Sequence, residues 1–148
     1  MPDKSMPLFD VLLVEDEAAD AHLMKMSFKE NQLPCNLHHV WDGVEAIAFL
    51  RQQGADYADV PRPDLILLDL NMPRMNGREF LAKIKSEPNF SSIPTIVFTT
   101  SDIERDVVAS YQLGANSYIT KPVNVEQLIT VVRQIEAYWF NVVRLPNK

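Results

Sequence analysis

"LILLDLNMPRMNG", residues 65–77, runs four large aliphatic residues straight into a lone carboxylate, Asp69, and then into a turn marked by Pro73 and Gly77. A short unbroken apolar run bounded by turn residues reads as a strand covered on both faces, as in a parallel sheet. An acid does not belong inside such a strand, so Asp69 marks its end. "FDVLLVED", residues 9–16, has the same design: an apolar run that stops on the acidic pair Glu15 and Asp16.

Outward from these two runs, the pattern is strand then helix, repeated. Strands are expected near 9–14, 36–41, 64–69, 95–99 and 116–120, and helices at 18–31, 43–53, 76–86, 103–113 and 124 to about 143. Asn76 followed three residues on by Glu79 reads as a capping box, and Asp42 before Gly43 as another helix start. Alternation of this kind predicts an α/β fold with a parallel sheet. "NLHHVW" and "NSYIT" are mixed in polarity and suit edge strands, and right-handed crossovers then favour the order 2-1-3-4-5, a doubly wound sheet. In such a sheet the functional crevice lies beyond the carboxyl ends of the strands, where the winding reverses. Glu15, Asp16 and Asp69 therefore converge on one pocket from opposite ends of a long sequence interval.

The 148 residues carry a net charge of −6 and a 47% hydrophobic composition, enough for one globular domain over 8–135, with a tail at 1–7 and a C-terminal extension at 136–148. The acidic balance opposes direct nucleic-acid binding. No run approaches the roughly 18 apolar residues of a membrane span, and the start lacks the pattern of a signal peptide, so a cytoplasmic location is expected. A single cysteine, Cys35, excludes an internal disulfide and reads as a small buried hydrophobe. His22, His38 and His39 receive no role.

Two unit charges about 4 Å apart repel by roughly 4 kcal/mol at an effective dielectric of 20, so a pocket of three carboxylates calls for a cation. Mg²⁺ suits it, since it takes one or two carboxylates, keeps several waters and shares phosphate oxygens. Thr99 ends the fourth strand, and Lys121 with Pro122 comes after the fifth. A hydroxyl and an ammonium thus join the acids on one sheet edge, a set fitted to placing a phosphoryl group on Asp69. Taken singly, each residue has a plainer reading as a helix cap, a β-former or a surface lysine. Their shared position at the strand ends is what argues for function.

At these positions the chain resembles the receiver domains of two-component response regulators. The resemblance rests on Glu15 and Asp16, on Asp69 followed by Met72, Pro73 and Gly77, on Thr99, and on Tyr118 with Lys121 and Pro122. It implies a flavodoxin-like (βα)5 fold and phosphorylation of Asp69 by a histidine kinase with Mg²⁺ or Mn²⁺. Asp16, Asp69 and the backbone carbonyl of Asn71 would hold the metal, with Glu15 acting through water. Thr99 would be the switch hydroxyl, Tyr118 its coupled aromatic and Lys121 the phosphoryl-binding cation. Gly77 would be structural, and the peptide before Pro122 would be cis. The protein would catalyse only its own phosphoryl transfer and dephosphorylation, and would act on a downstream protein target or a phosphotransfer protein. Thr100 stands where many members carry a smaller residue. Thr100→Ala is accordingly expected to speed phosphorylation, and equal rates would remove that role from Thr100.

The lengthened connection "GADYADVPRP", residues 54–63, and the ending "EAYWFNVVRLP" further resemble the small response regulators paired with cyanobacterial phytochromes. That implies a phytochrome-type kinase partner and a homodimer built partly from the C-terminal extension. Twenty helical residues reach roughly 30 Å. The last helix is thus expected to project past the domain, offering Tyr138, Trp139, Phe140 and Val142 as an interface; folding back onto its own domain is the other reading. Two alternative functions stay open. One is a phosphatase or phosphotransferase with an aspartyl nucleophile, against which Asn71 stands where a general acid is common. The other is a scaffold independent of phosphorylation. A nucleotide or flavin binder is disfavoured, because no glycine-rich loop comes after the first strand.

Overall fold

The pattern of unbroken apolar runs at 11–14, 65–68 and 96–98 places three strands at the centre of a sheet, and the computed structural model has them there. It describes residues 9–31, 35–72, 74–140 and 144–146. The elements are β1 (Phe9–Val14), α1 (Ala18–Glu30), β2 (Cys35–Val40), α2 (Gly43–Leu50), β3 (Leu65–Leu68), α3 (Gly77–Lys85), β4 (Thr95–Thr99), α4 (Glu104–Gln112), β5 (Ser117–Thr120) and α5 (Val125–Trp139). A single 3₁₀ turn, Ala55–Tyr57, lies in the long connection before β3. The five strands are parallel in the order β2-β1-β3-β4-β5, which bears out the predicted topology and both edge assignments.

Alternation along each strand divides the core in two. Leu12, Val14, Ile66, Leu68 and Val97 face Ile47, Phe80, Leu81 and Ile84 of α2 and α3. Val11, Leu13, Leu65, Leu67, Ile96 and Phe98 face Met24 and Phe28 of α1 and Leu128, Val132 and Ile135 of α5. The capping box at Asn76 and Glu79 is formed, and the Asp42 carboxylate caps α2 by accepting from the Glu45 amide.

Two expectations need correction. Helix α5 stops at Trp139, with Phe140 as its C-cap, where the sequence reading places its end near 143. Trp139 and Phe140 are 9% and 8% exposed, and the Phe140 ring stacks on Phe9 at 4.5 Å and 8°. The cause is local: two large aromatics at the helix end gain more by covering the start of β1 than by standing in water. Of the expected interface residues only Tyr138, 53% exposed, faces outward. Val142 lies outside the described residues, as do the tail at 1–7 and Pro73. The second correction concerns Pro122. Among the described residues no peptide bond is cis, so Lys121–Pro122 is trans, the isomer favoured by about 0.5–1 kcal/mol for an X–Pro bond unless its surroundings hold the other.

Candidate functional site

Parallel strands in this register end together, and backbone hydrogen bonds anchor the residues just beyond those ends. The Asp69 amide donates to Val14 O at 3.0 Å, the Glu15 amide to Val40 O at 3.1 Å and the Lys121 amide to Thr99 O at 2.7 Å. The acids after β1 and β3 and the lysine after β5 are thus mounted on the sheet itself. Ligand atoms of Glu15, Asp16 and Asp69 all lie within 4.8 Å of one another. Glu15 and Asp69 are 1% and 7% exposed. The Lys121 ammonium donates to Glu15, donates to Asp20 Oδ2 at 2.9 Å, and stands 3.5 Å from Asp69 Oδ2.

Charge in this pocket is unbalanced. Burial and the neighbouring Asp69 carboxylate push Glu15 up to about 8, even against Lys121. Burial, then the charge of Asp69, also raises Asp16. Burial alone would lower Lys121, but its hydrogen bonds to Glu15 and Asp20, with the charge of Asp69, hold it above the ordinary lysine range. A divalent cation would relieve the excess negative charge, and an all-oxygen donor set suits Mg²⁺ or Mn²⁺ rather than a thiol- or imidazole-seeking metal.

Thr99 is fully buried at the end of β4, and its hydroxyl has no hydrogen-bond partner among the described residues. An unsatisfied buried hydroxyl costs about 1–3 kcal/mol, so this one gains from any acceptor brought beside it. The Tyr118 hydroxyl donates to Ser101 O at 2.7 Å, in the loop that β4 feeds. Ser101 Oγ in turn donates to Asp106 Oδ2 at 2.6 Å, and Asp106 pairs with Arg78 of α3. Gly77 opens α3 where a Cβ would lie 2.6 Å from Leu70 Cα and closer still to the Asp69 carbonyl, so only glycine lets the helix start this near the acceptor strand.

The sheet end therefore gathers Glu15, Asp16, Asp69, Thr99 and Lys121, and sets Tyr118 one loop away. The Asn71 amide donates to Asp69 Oδ1 at 3.3 Å, which keeps that residue beside the pocket. Sequence reasoning passes over Asp20 and His39. Asp20, one helical turn beyond Asp16, reads as an ordinary acid in the first turn of a helix, and only the fold brings Lys121 to it. His39 donates from Nε2 to the Glu15 carbonyl at 2.8 Å, and burial lowers its basicity. No sequence pattern marks that contact.

Known proteins resemble the chain over most of its length. The response regulator receiver domain family matches residues 11–133. Response regulator Rcp1 of Synechocystis sp. is 47% identical over 146 residues, covering 99% of this chain and 99% of that protein. The crystal structure of the phosphorylated cyanobacterial phytochrome response regulator RcpA superposes with a TM-score of 0.89 at 45% identity, over 95% of this chain and 100% of that one. The Mn²⁺-bound form of Rcp1 superposes with a TM-score of 0.85 at 47% identity, over 94% and 99%. With its strand order, its acid cluster and a family match over most of its length, the chain belongs to the response regulator receiver domain family.

Proposed function

We propose that this receiver takes a phosphoryl group onto Asp69 from a phosphohistidine of a histidine kinase, and that the kinase is of the phytochrome type. The observation that carries the reading is the Lys121 ammonium set 3.5 Å from Asp69 Oδ2 beside a three-carboxylate pocket. The partner class is supported by the likeness to Rcp1 and RcpA. Asp69 attacks phosphorus as the donor's N–P bond breaks; a P–O bond forms on the carboxylate, and the freed imidazole takes up a proton. Lys121 balances charge on the phosphoryl oxygens, and the Thr99 hydroxyl, unpartnered at rest, donates to one of them. Asp16, Asp69 and the Asn71 carbonyl would hold Mg²⁺ or Mn²⁺, with Glu15 acting through water. A bound divalent ion would supply further positive charge to the phosphoryl oxygens. A cavity of about 340 Å³ beside Lys121, walled by Leu23, Met24, Phe98, Pro122 and Leu128, offers the donor protein an apolar seat in the cytoplasm.

Movement of Thr99 toward the phosphoryl group pulls on the loop that holds Tyr118 through Ser101. The output is then a change of shape at β4 and β5, read by a downstream protein or phosphotransfer partner. Tyr138 and the groove beside it, lined by Tyr111, Ile119 and Val131, are the surface we assign to homodimer contact. The protein on this reading is no enzyme for separate substrates, since it turns over only its own phosphoryl group.

Cation binding should depend on pH with a definite sign. Glu15 is raised from 4.5 to about 8, so its contribution to metal-free stability is full below about 4.5 and is lost as pH climbs through about 8. A cation competes with that proton. Mg²⁺ affinity should rise by up to about tenfold per pH unit below about 8 and level off above it, with a proton released on binding. Calorimetric titrations at several pH values in buffers of different ionisation enthalpy measure both. A flat affinity with no proton release would show Glu15 already ionised at neutral pH.

A further inference from the structure

The loop that leaves Asp69 must hold its backbone still if a carbonyl within it is to meet a cation, and residues remote from the pocket do the holding. The Arg74 guanidinium makes contacts of 2.6 Å from both Nε and Nη2 to Asp42 Oδ2. Asp42 Oδ1 is occupied separately, accepting from the Glu45 amide at 2.9 Å as the cap of α2. One buried carboxylate therefore fixes both a helix start and the loop. Glu45 Oε2 stands 3.8 Å from Arg74, and Glu45 Oε1 accepts from the Tyr57 hydroxyl at 3.2 Å. Tyr57 belongs to the long connection 54–63, and its ring packs on Phe49 at 5.6 Å.

The backbone is shaped to match. Arg74 has φ +60°, a left-handed conformation that a residue other than glycine takes at a cost of about 1 kcal/mol or more, and keeps only when its contacts demand it. The Gly43 amide donates to Met75 O at 3.1 Å, and a Cβ at Gly43 would lie 2.6 Å from that oxygen. The loop is thus pressed onto α2 at two adjacent residues, while its ends are closed by the Gly77 amide donating to Leu70 O at 2.9 Å.

We propose that Arg74 is a positioning residue for the cation site: its ion pair with Asp42, backed by Glu45 and Tyr57, fixes residues 74–76 against α2 and so sets where the Asn71 carbonyl meets a cation. The inference rests on the metal-binding reading above. It also gives the long connection before β3 a task, since Tyr57 props the acid that flanks the clamp.

The sign of the effect separates positioning from simple electrostatics. Loss of a positive charge beside an acidic pocket would by itself tighten a cation, whereas loss of the clamp weakens it. Mn²⁺ binding to the full chain, monitored by the electron paramagnetic resonance signal of the free ion, reads this directly. Arg74→Gly, which also relieves the left-handed residue, should bind Mn²⁺ about tenfold more weakly than the unaltered protein, the low end for a residue that orients ligands through others. Its melting temperature without metal should stay close to that of the unaltered protein. Arg74→Lys should recover part of the loss. Asp42→Asn keeps a cap acceptor and should match Arg74→Gly, carrying the test should the glycine variant fold poorly. Equal or tighter binding by Arg74→Gly overturns the proposal while leaving the metal site standing. No Mn²⁺ binding by the unaltered protein overturns the metal reading and the clamp with it.

Discussion

Asp69→Asn should take up no phosphoryl group from acetyl phosphate and Mg²⁺ under conditions in which the unaltered protein gains one, as read by native mass spectrometry. The substitution is nearly isosteric, so the loss reports chemistry and not collapse. Asp69 sits in a pocket where its charge helps to push the neighbouring Glu15 up to about 8. Removing that charge lessens repulsion, and the variant should melt no lower than the unaltered protein in the absence of metal. Glu15 should then titrate at a lower pH, observable by carbon-detected NMR of the carboxyl. A phosphoryl group found on Asp69→Asn would move the acceptor to another residue and undo the assignment. No group on either protein, even with a phytochrome-type kinase as donor, would favour the scaffold reading.

Much of the fold is legible because burial on both faces leaves a plain trace. The runs 11–14 and 65–68 contain no polar residue, as a strand at the centre of a parallel sheet requires, and the alternation with helical stretches selects that reading. Their termination on Glu15 and Asp69 then locates the pocket, since strand ends in this fold are aligned by backbone bonds and not by side-chain detail. The features that escape a sequence reading depend on long-range contact. Asp20 matters only because β5 carries Lys121 across the sheet to it, and His39 only because β2 runs alongside the turn after β1. The Arg74–Asp42 pair joins residues on two loops whose sequences carry no mark of each other. The end of α5 misleads for a related reason: aromatic residues in a helical tail look the same whether they await a partner or cover Phe9.

Trp139→Ala and Phe140→Ala should each destabilise the single chain by about 3–5 kcal/mol, the range for truncating a buried aromatic. At this length each kcal/mol moves the melting temperature by about 2–4 °C, so both variants should melt at least about 6 °C lower, whatever the protein concentration. Trp139 packs with the core that includes Val11, Leu65 and Ile135, and Phe140 stacks on Phe9 at 4.5 Å. Tyr138→Ala should behave differently. Its side chain is 53% exposed and touches Trp139 edge-on at 5.4 Å, so its removal should cost the monomer under about 1 kcal/mol. If the proposed homodimer uses this face, Tyr138→Ala weakens association in analytical ultracentrifugation while leaving the melting temperature of the monomer nearly unchanged. Truncation after Glu136 cannot separate these effects, because it removes Trp139 and Phe140 from the core together with Tyr138 from the surface. A Phe140→Ala variant as stable as the unaltered protein would mean that its stacking on Phe9 contributes little and that the aromatic ending is free to serve a partner. A large loss there, with Tyr138→Ala still dimeric, would assign the whole ending to the fold and send the search for the dimer contact to another surface.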